Sequence, residues 1–291
     1  MRPPMGITST TKVGEPTSFA TCPITPGSNQ MKPKPARSSL RSSCPTFVAI
    51  LLILSIAPSA QAQHDNECST ATLRGAYGYF FSGSAAGVGP VAAVGLVTFD
   101  GLGGVSAKDT LNTNGTVVGR SGSGIYHLNL NCTGSASITV DAGQFSFDLM
   151  VIPHSSGAEF SLIVTSPGAI QTGEAMRIGE EECTLATLQG TYRLSGSSLG
   201  MGASVGFRIS DGAGSYYGED TQSVAGVLGH RMVAATYTVN GDCTGTSTFT
   251  NGSHFDSVYV AGGSQKFDVR TDAGTISLGT FKKQSRRRKD D

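Results

Sequence analysis

The chain has 291 residues, of which 39 are glycine, 7% are aromatic, 14% are charged and none is tryptophan. That composition excludes a helical bundle, which would be rich in Glu, Lys and Leu, and suits many short strands joined by turns. Formal charge is zero, but residues 63–281 hold 9 Lys+Arg against 18 Asp+Glu, which argues against nucleic-acid binding by this acidic body.

The chain opens on a Pro-, Ser- and Thr-rich stretch with Arg2, Lys12, Lys32, Lys34, Arg37 and Arg41 against one acid, Glu15. The apolar run Phe47 to Ile56 follows, and then Ala57-Pro-Ser-Ala60-Gln-Ala62. A basic region, an apolar core and an Ala-x-Ala end are the order of a secretory signal peptide, with cleavage expected after Ala62. The run is too short to span a bilayer, which needs about 20 apolar residues. Met31 would give a leader of more ordinary length. The expected location is secreted or periplasmic.

Beyond the leader the sequence matches itself. Cys68-Ser-Thr-Ala-Thr-Leu73-Arg-Gly75-Ala-Tyr77 pairs with Cys183-Thr-Leu-Ala-Thr-Leu188-Gln-Gly190-Thr-Tyr192. Val94 to Gly103, containing Phe99-Asp100-Gly101, pairs with Val205 to Gly214, containing Ser210-Asp211-Gly212. Tyr126-His-Leu-Asn129-Leu-Asn-Cys132-Thr133-Gly134 pairs with Tyr237-Thr-Val-Asn240-Gly-Asp-Cys243-Thr244-Gly245. Further on, Phe160 and Phe267, and Ile170 and Ile276, fall at similar places. The predicted organisation is a leader (1–62), a first repeat (63–179), a second repeat (180–281) and a basic disordered tail (282–291). A short acidic joint near residues 178–182 implies domains that touch.

Setting aside Cys22 and Cys44 with the leader leaves four cysteines, which allow three pairings. Only Cys68–Cys132 with Cys183–Cys243 gives each copy the same bridge, and export supplies the oxidising compartment. No Cys-x-x-Cys pair offers a metal site.

Within each copy apolar residues alternate. Val91, Ala93, Gly95, Val97 and Phe99 do so, as do Tyr126, Leu128 and Leu130, then Phe145, Phe147, Leu149 and Val151, and Phe160, Leu162 and Val164. In the second copy the stripes are Val205, Phe207 and Ile209, then Phe267 and Val269, then Ile276 and Leu278. Period two with one apolar face predicts strands half buried against a core. Asp100-Gly101, Asn114-Gly115, Asp211-Gly212 and Asn251-Gly252 supply tight turns. About eight strands per copy would close into an up-and-down barrel, which leaves no open edge; a β-sandwich is the alternative.

The pattern Cys…Thr-Leu-x-Gly-x-Tyr, Phe-Asp-Gly-x-Gly, Tyr-x-x-Asn-x-x-Cys-Thr-Gly resembles a group of small secreted bacterial proteins of unknown function. The resemblance implies two tandem lipocalin-like barrels and export. It brings no activity and no site residues. The second copy departs from the pattern at Ser210, where Phe is usual.

Candidate sites are few. Gly196-Ser197-Ser198-Leu199-Gly200 fits Gly-x-Ser-x-Gly, with Asp220 and His230 or His254 as paper partners, but that motif works on a strand–turn–helix elbow, and a hairpin loop explains it better. His64, His127, His154, His230 and His254 show no metal-ligand spacing. Asp100-Gly101 and Asp211-Gly212 lack the further oxygen ligands of a calcium loop. Asn114, Asn131 and Asn251 begin glycosylation triplets. No catalytic, cofactor or metal residue is expected; the only site residues are the four cysteines. The leading expectation is a non-enzymatic protein holding a small apolar ligand inside a barrel. The alternative is a surface or matrix interaction protein without a cavity, with weak anionic-surface contact through the basic tail.

Overall fold

The computed structural model describes residues 67–141, 143–152 and 158–284. The segment expected to be a signal peptide, Cys22, Cys44, His64, His154 and the tail from residue 285 lie outside the described residues. Among the described residues no helix is long and apolar enough to cross a membrane.

Two closed eight-stranded antiparallel barrels follow one another along the chain. The first comprises β1 (Arg74–Ala85), β2 (Gly89–Asp100), β3 (Gly104–Thr113), β4 (Thr116–Leu128), β5 (Thr133–Val140), β6 (Gly143–Val151), β7 (Glu159–Val164) and β8 (Ala169–Arg177). The second comprises β9 (Gly190–Ser198), β10 (Gly202–Ser210), β11 (Ser215–Val224), β12 (Val227–Tyr237), β13 (Thr244–Phe249), β14 (His254–Val260), β15 (Gln265–Arg270) and β16 (Leu278–Lys283). Each strand pairs with the next, and β1–β8 and β9–β16 close the rings. Closure leaves no unpaired sheet edge, so the sandwich alternative is set aside. The last strand takes in Lys282 and Lys283, two residues expected in the tail.

The recurring motifs are fold determinants. Asp100 Oδ1 accepts the Leu102 and Gly104 amides at 2.7 and 2.9 Å, and Asp211 Oδ1 accepts those of Ala213 and Ser215 at 2.7 and 3.0 Å. These bonds hold both carboxyls below the usual range and turn the hairpins without a metal. Tyr126 donates its hydroxyl to Thr70 and Leu73 carbonyls in the 3-10 turn at the barrel's start, and Tyr237 donates to Leu185 in the matching turn. Cys132 and Cys243 sit at φ 66° and 65° in the β4–β5 and β12–β13 turns. Each is bonded to the cysteine before its own barrel, Cys68 and Cys183.

The barrels meet along the outer faces of β1–β2 and β14–β15. Ala92, Val94 and Leu96 from the first barrel cluster with Val258, Val260, Phe267 and Val269 from the second. The Phe80 and Phe267 rings lie 4.7 Å apart. Gly78 admits this contact, because a Cβ there would stand 2.4 Å from Val260. Beside this apolar strip, fully buried Asn112 donates to the Arg270 and Thr275 carbonyls at 2.9 and 2.7 Å.

This interface overturns part of the expected strand facing. Phe267 and Val269 point out of their barrel onto the neighbour, so Lys266, Asp268 and Arg270 point in. On β10 the apolar stripe Val205, Phe207, Ile209 also faces out, with Val205 60% exposed, while Arg208 is buried inside. The ladders further correct one sequence match. Val151, whose amide donates to Cys132, pairs with Phe160; Tyr259, whose amide donates to Cys243, pairs with Lys266. The counterpart of Phe160 is therefore Lys266, not Phe267.

Candidate ligand cavity in the second barrel

The first barrel is filled. Tyr77, Phe99 and Phe160 meet edge-on or tilted at 5.5–5.8 Å between ring centres, and Phe99 stands 4.8 Å from Tyr126. The void left among Tyr79, Val97, Phe147 and Phe160 is about 10 Å³, less than a water needs. Ala93 and Gly95 are small inward residues, yet no space is left beside them. A Cβ on Gly95 would lie 2.4 Å from the Asp109 Cβ, so the missing side chain is what lets Asp109 enter. That carboxylate accepts from Tyr79 Oη at 2.7 Å and from Arg120 Nε at 2.9 Å, and Arg120 lies over the Phe145 ring at 5.1 Å. The Asp109–Arg120 pair is thus balanced, and the other cation packed on the first core, Arg177, lies over the Tyr77 ring at 5.4 Å with its Nε unpartnered.

The second barrel is open at one end. A cavity of about 640 Å³ runs inward past the β9–β10 hairpin and the segment before β16, with Pro90, Asn114 and Gly115 of the first barrel on its rim. Its apolar wall includes Leu194, Leu199, Phe249, Phe255 and Phe281, and its polar wall Gln222, Arg208, Arg231, Asp268 and Arg270. Cavities of about 300–1,000 Å³ are the size of ordinary small-molecule sites.

Ladder position explains the polar wall. Asp220 faces Gly206 on one side and Arg231 on the other, as Asp109 faces Gly95 and Arg120. The second barrel adds Arg208 at the place of Val97, two residues beyond that glycine. Asp220, with its side chain fully buried, then holds two cations: Arg208 Nη2 at 2.6 Å and Arg231 Nε at 2.6 Å. Burial pushes the Asp220 carboxyl up, but the bonds and charges of Arg231 and Arg208 outweigh it and hold the group below the usual range.

On β15 Lys266 pairs with Asp268 at 3.1 Å, and Lys266 Nζ sits 4.5 Å from the Phe281 ring centre. Here burial dominates, and the Asp268 carboxyl is raised despite Lys266. Arg270 Nε bonds Asp272 at 2.7 Å, and His254 Nδ1 meets the same carboxylate at 2.8 Å. Beneath the main cavity a void of about 30 Å³ lies among Tyr192, Arg208, Tyr216, Tyr259 and Lys266. Burial pushes the Tyr259 hydroxyl up to about 12, so it stays neutral and serves as a donor to the Thr238 carbonyl.

Five buried side-chain polar atoms among the described residues lack a well-formed hydrogen bond, and four are in the second barrel: Arg208 Nε, the facing pair Tyr216 Oη and Ser247 Oγ, and Ser257 Oγ beside Tyr259. Native interiors satisfy nearly all such atoms with protein, water or ligand.

The serine motif assembles nothing comparable. Ser197 pairs with Ala203 and Leu278 in the ladders, and Ser198 lines the cavity lip. Asp220 is taken by its arginines, His230 bonds Thr221 at 2.9 Å, and His254 bonds Asp272. His127 lies on the outer face beside Asn129. Among the described residues no group of three or more His, Cys, Asp or Glu could hold a metal. Sequence reasoning missed the site's main residues, Arg208, Arg231, Lys266, Asp268 and Arg270. Their one signal was charge at alternate positions within β15.

No family model matches this chain. No curated protein sequence matches it. Among solved structures, a DUF3598-family protein of unknown function from Nostoc punctiforme is similar over 75% of this chain and 100% of its own, at 8% identity and a TM-score of 0.22. Superposition that loose carries no argument about fold detail or function.

Proposed function

We propose that the chain is an exported, non-enzymatic binding protein whose second barrel holds one small molecule with an apolar body, while the first barrel is a packed scaffold. The observation that carries this reading is the contrast between about 640 Å³ of lined space in one barrel and about 10 Å³ in the other. Two disulfides fit an oxidising, extracytoplasmic environment. The matching tyrosine caps, aspartate turns and cysteine hairpins support reading the barrels as two copies of one unit, only one of which kept an open interior.

Titration with N-phenyl-1-naphthylamine, an uncharged dye that brightens in apolar sites, tests the proposal. The expected result is one site per chain, abolished in Ser198→Trp, where the indole blocks the half-buried lip of the cavity. No binding, or binding indifferent to that substitution, overturns it. Native mass spectrometry of the purified chain should show the same stoichiometry.

A further inference from the structure

The second interior holds more positive than negative charge. Among the described residues, Arg208, Arg231, Lys266 and Arg270 meet three carboxylates, those of Asp220, Asp268 and Asp272. Lys266–Asp268 is a one-to-one pair and Asp272 serves both Arg270 and His254, while the Arg208–Asp220–Arg231 triad sets two cations on one carboxylate. Asp220 lies behind its arginines; the two guanidinium groups line the cavity and the carboxylate does not. Arg208 is 3% exposed, and its Nε has no partner although the rest of its guanidinium is bonded to Asp220 and to the Phe207 and Glu219 carbonyls. Arg231 gives Nε and Nη2 to Asp220. The surplus positive charge meets the cavity through Arg208, whose side chain is 4% exposed, and Arg231, at 40%, where an anion is attracted to both.

We propose that the ligand of the second barrel carries a single negative charge, a carboxylate or sulfonate, which seats against Arg208 and Arg231 while its apolar body lies along Leu194, Phe249 and Phe255. This rests on the small-molecule reading above and deepens it. One anion brings the triad to neutrality. A doubly charged group would overshoot, and an uncharged one would leave the surplus uncompensated. In the first barrel Val97 stands in place of Arg208, and the Asp109–Arg120 pair there is balanced one to one.

A matched pair of dyes tests the charge separately from the cavity. N-phenyl-1-naphthylamine and 8-anilinonaphthalene-1-sulfonate share one aromatic body and differ by the sulfonate. The expected result is roughly tenfold tighter binding of the sulfonate, the worth of one charge-assisted bond. In Arg231→Gln, which leaves the buried Arg208–Asp220 pair intact and neutral, the preference, read as the ratio of the two dyes' affinities in that same variant, should fall to about parity. If the uncharged dye binds and the sulfonate binds no tighter, or if Arg231→Gln leaves the preference unchanged, the anionic ligand is refuted and the cavity reading stands. If neither dye binds, the cavity reading itself falls.

Discussion

The two barrels share strand plan, disulfide position and capping tyrosine, yet their interiors are opposites. In the first, β7 sends Phe160, Leu162 and Val164 inward; at the same ladder places in the second, β15 sends Lys266, Asp268 and Arg270. Phe99 and Val97 of β2 correspond likewise to Ser210 and Arg208 of β10. Backbone closure and the hairpin disulfide, rather than a dry core, are therefore what the two halves have in common. A closed sheet satisfies its own backbone hydrogen bonds whatever fills it. One half can be packed to solid density while the other gives up apolar contact for a cavity and paired charges.

The sharpest break of this comparison is aromatic truncation. Phe160→Ala should destabilise by about 3–5 kcal/mol, because it opens a hole in a filled interior. Phe249→Ala, beside space that already exists, should cost only about 1 kcal/mol for its lost half-burial. Differential scanning calorimetry of the two variants checks this, and equal costs would deny that the interiors differ in packing.

Next come the bridges, where the halves should behave alike. Loops of 64 and 60 residues give about 4 kcal/mol each by the chain-entropy relation. Paired Cys→Ala variants compared by urea unfolding should agree within experimental spread.

Third is Asp220→Asn, expected to cost about 3 kcal/mol, the low end for breaking a buried pair because Arg231 is 40% exposed. Its carboxyl is depressed in the folded state. The stabilisation is therefore full above the unfolded value of about 3.9 and fades as pH falls through the folded one. The gap between wild type and Asp220→Asn should narrow below about pH 4. A gap that widened on acidification would contradict the sign.

The smallest effect is a partial conversion of the second interior toward the first. Lys266→Met with Asp268→Leu removes both partners of a buried pair, and such replacements are neutral or stabilising by about 1 kcal/mol or more. A rise in melting temperature with weaker binding of either dye would show charge kept for function at some expense of stability. A large fall would mean the pair supports the barrel itself.

Much of the fold was legible. Cysteine spacing, the Asp-Gly turns and the alternation in β2 and β6 pointed to disulfides, hairpins and half-buried strands, because those signals are local. The site was not legible, for a related reason. Apolar residues were taken to face inward, yet Val258, Val260, Phe267 and Val269 face outward, where the first barrel buries them. A strand covered on both sides no longer shows which stripe is interior, and the slip of one residue that matched Phe160 to Phe267 hid Lys266 behind it. On β10 Val205 is apolar and exposed, so the same rule failed there without any neighbour to blame.

By itself the sequence determined that this chain folds as two disulfide-tied, all-β units, since turn residues, cysteine positions and period-two patterning act over a few residues. Only the tertiary structure decided which face of each strand is inside, that one barrel is full and the other open, and that Arg208 and Arg231 share a single carboxylate. Those outcomes depend on strands from distant parts of the chain meeting across a closed ring and on one barrel burying the outer wall of the other, which no local pattern encodes.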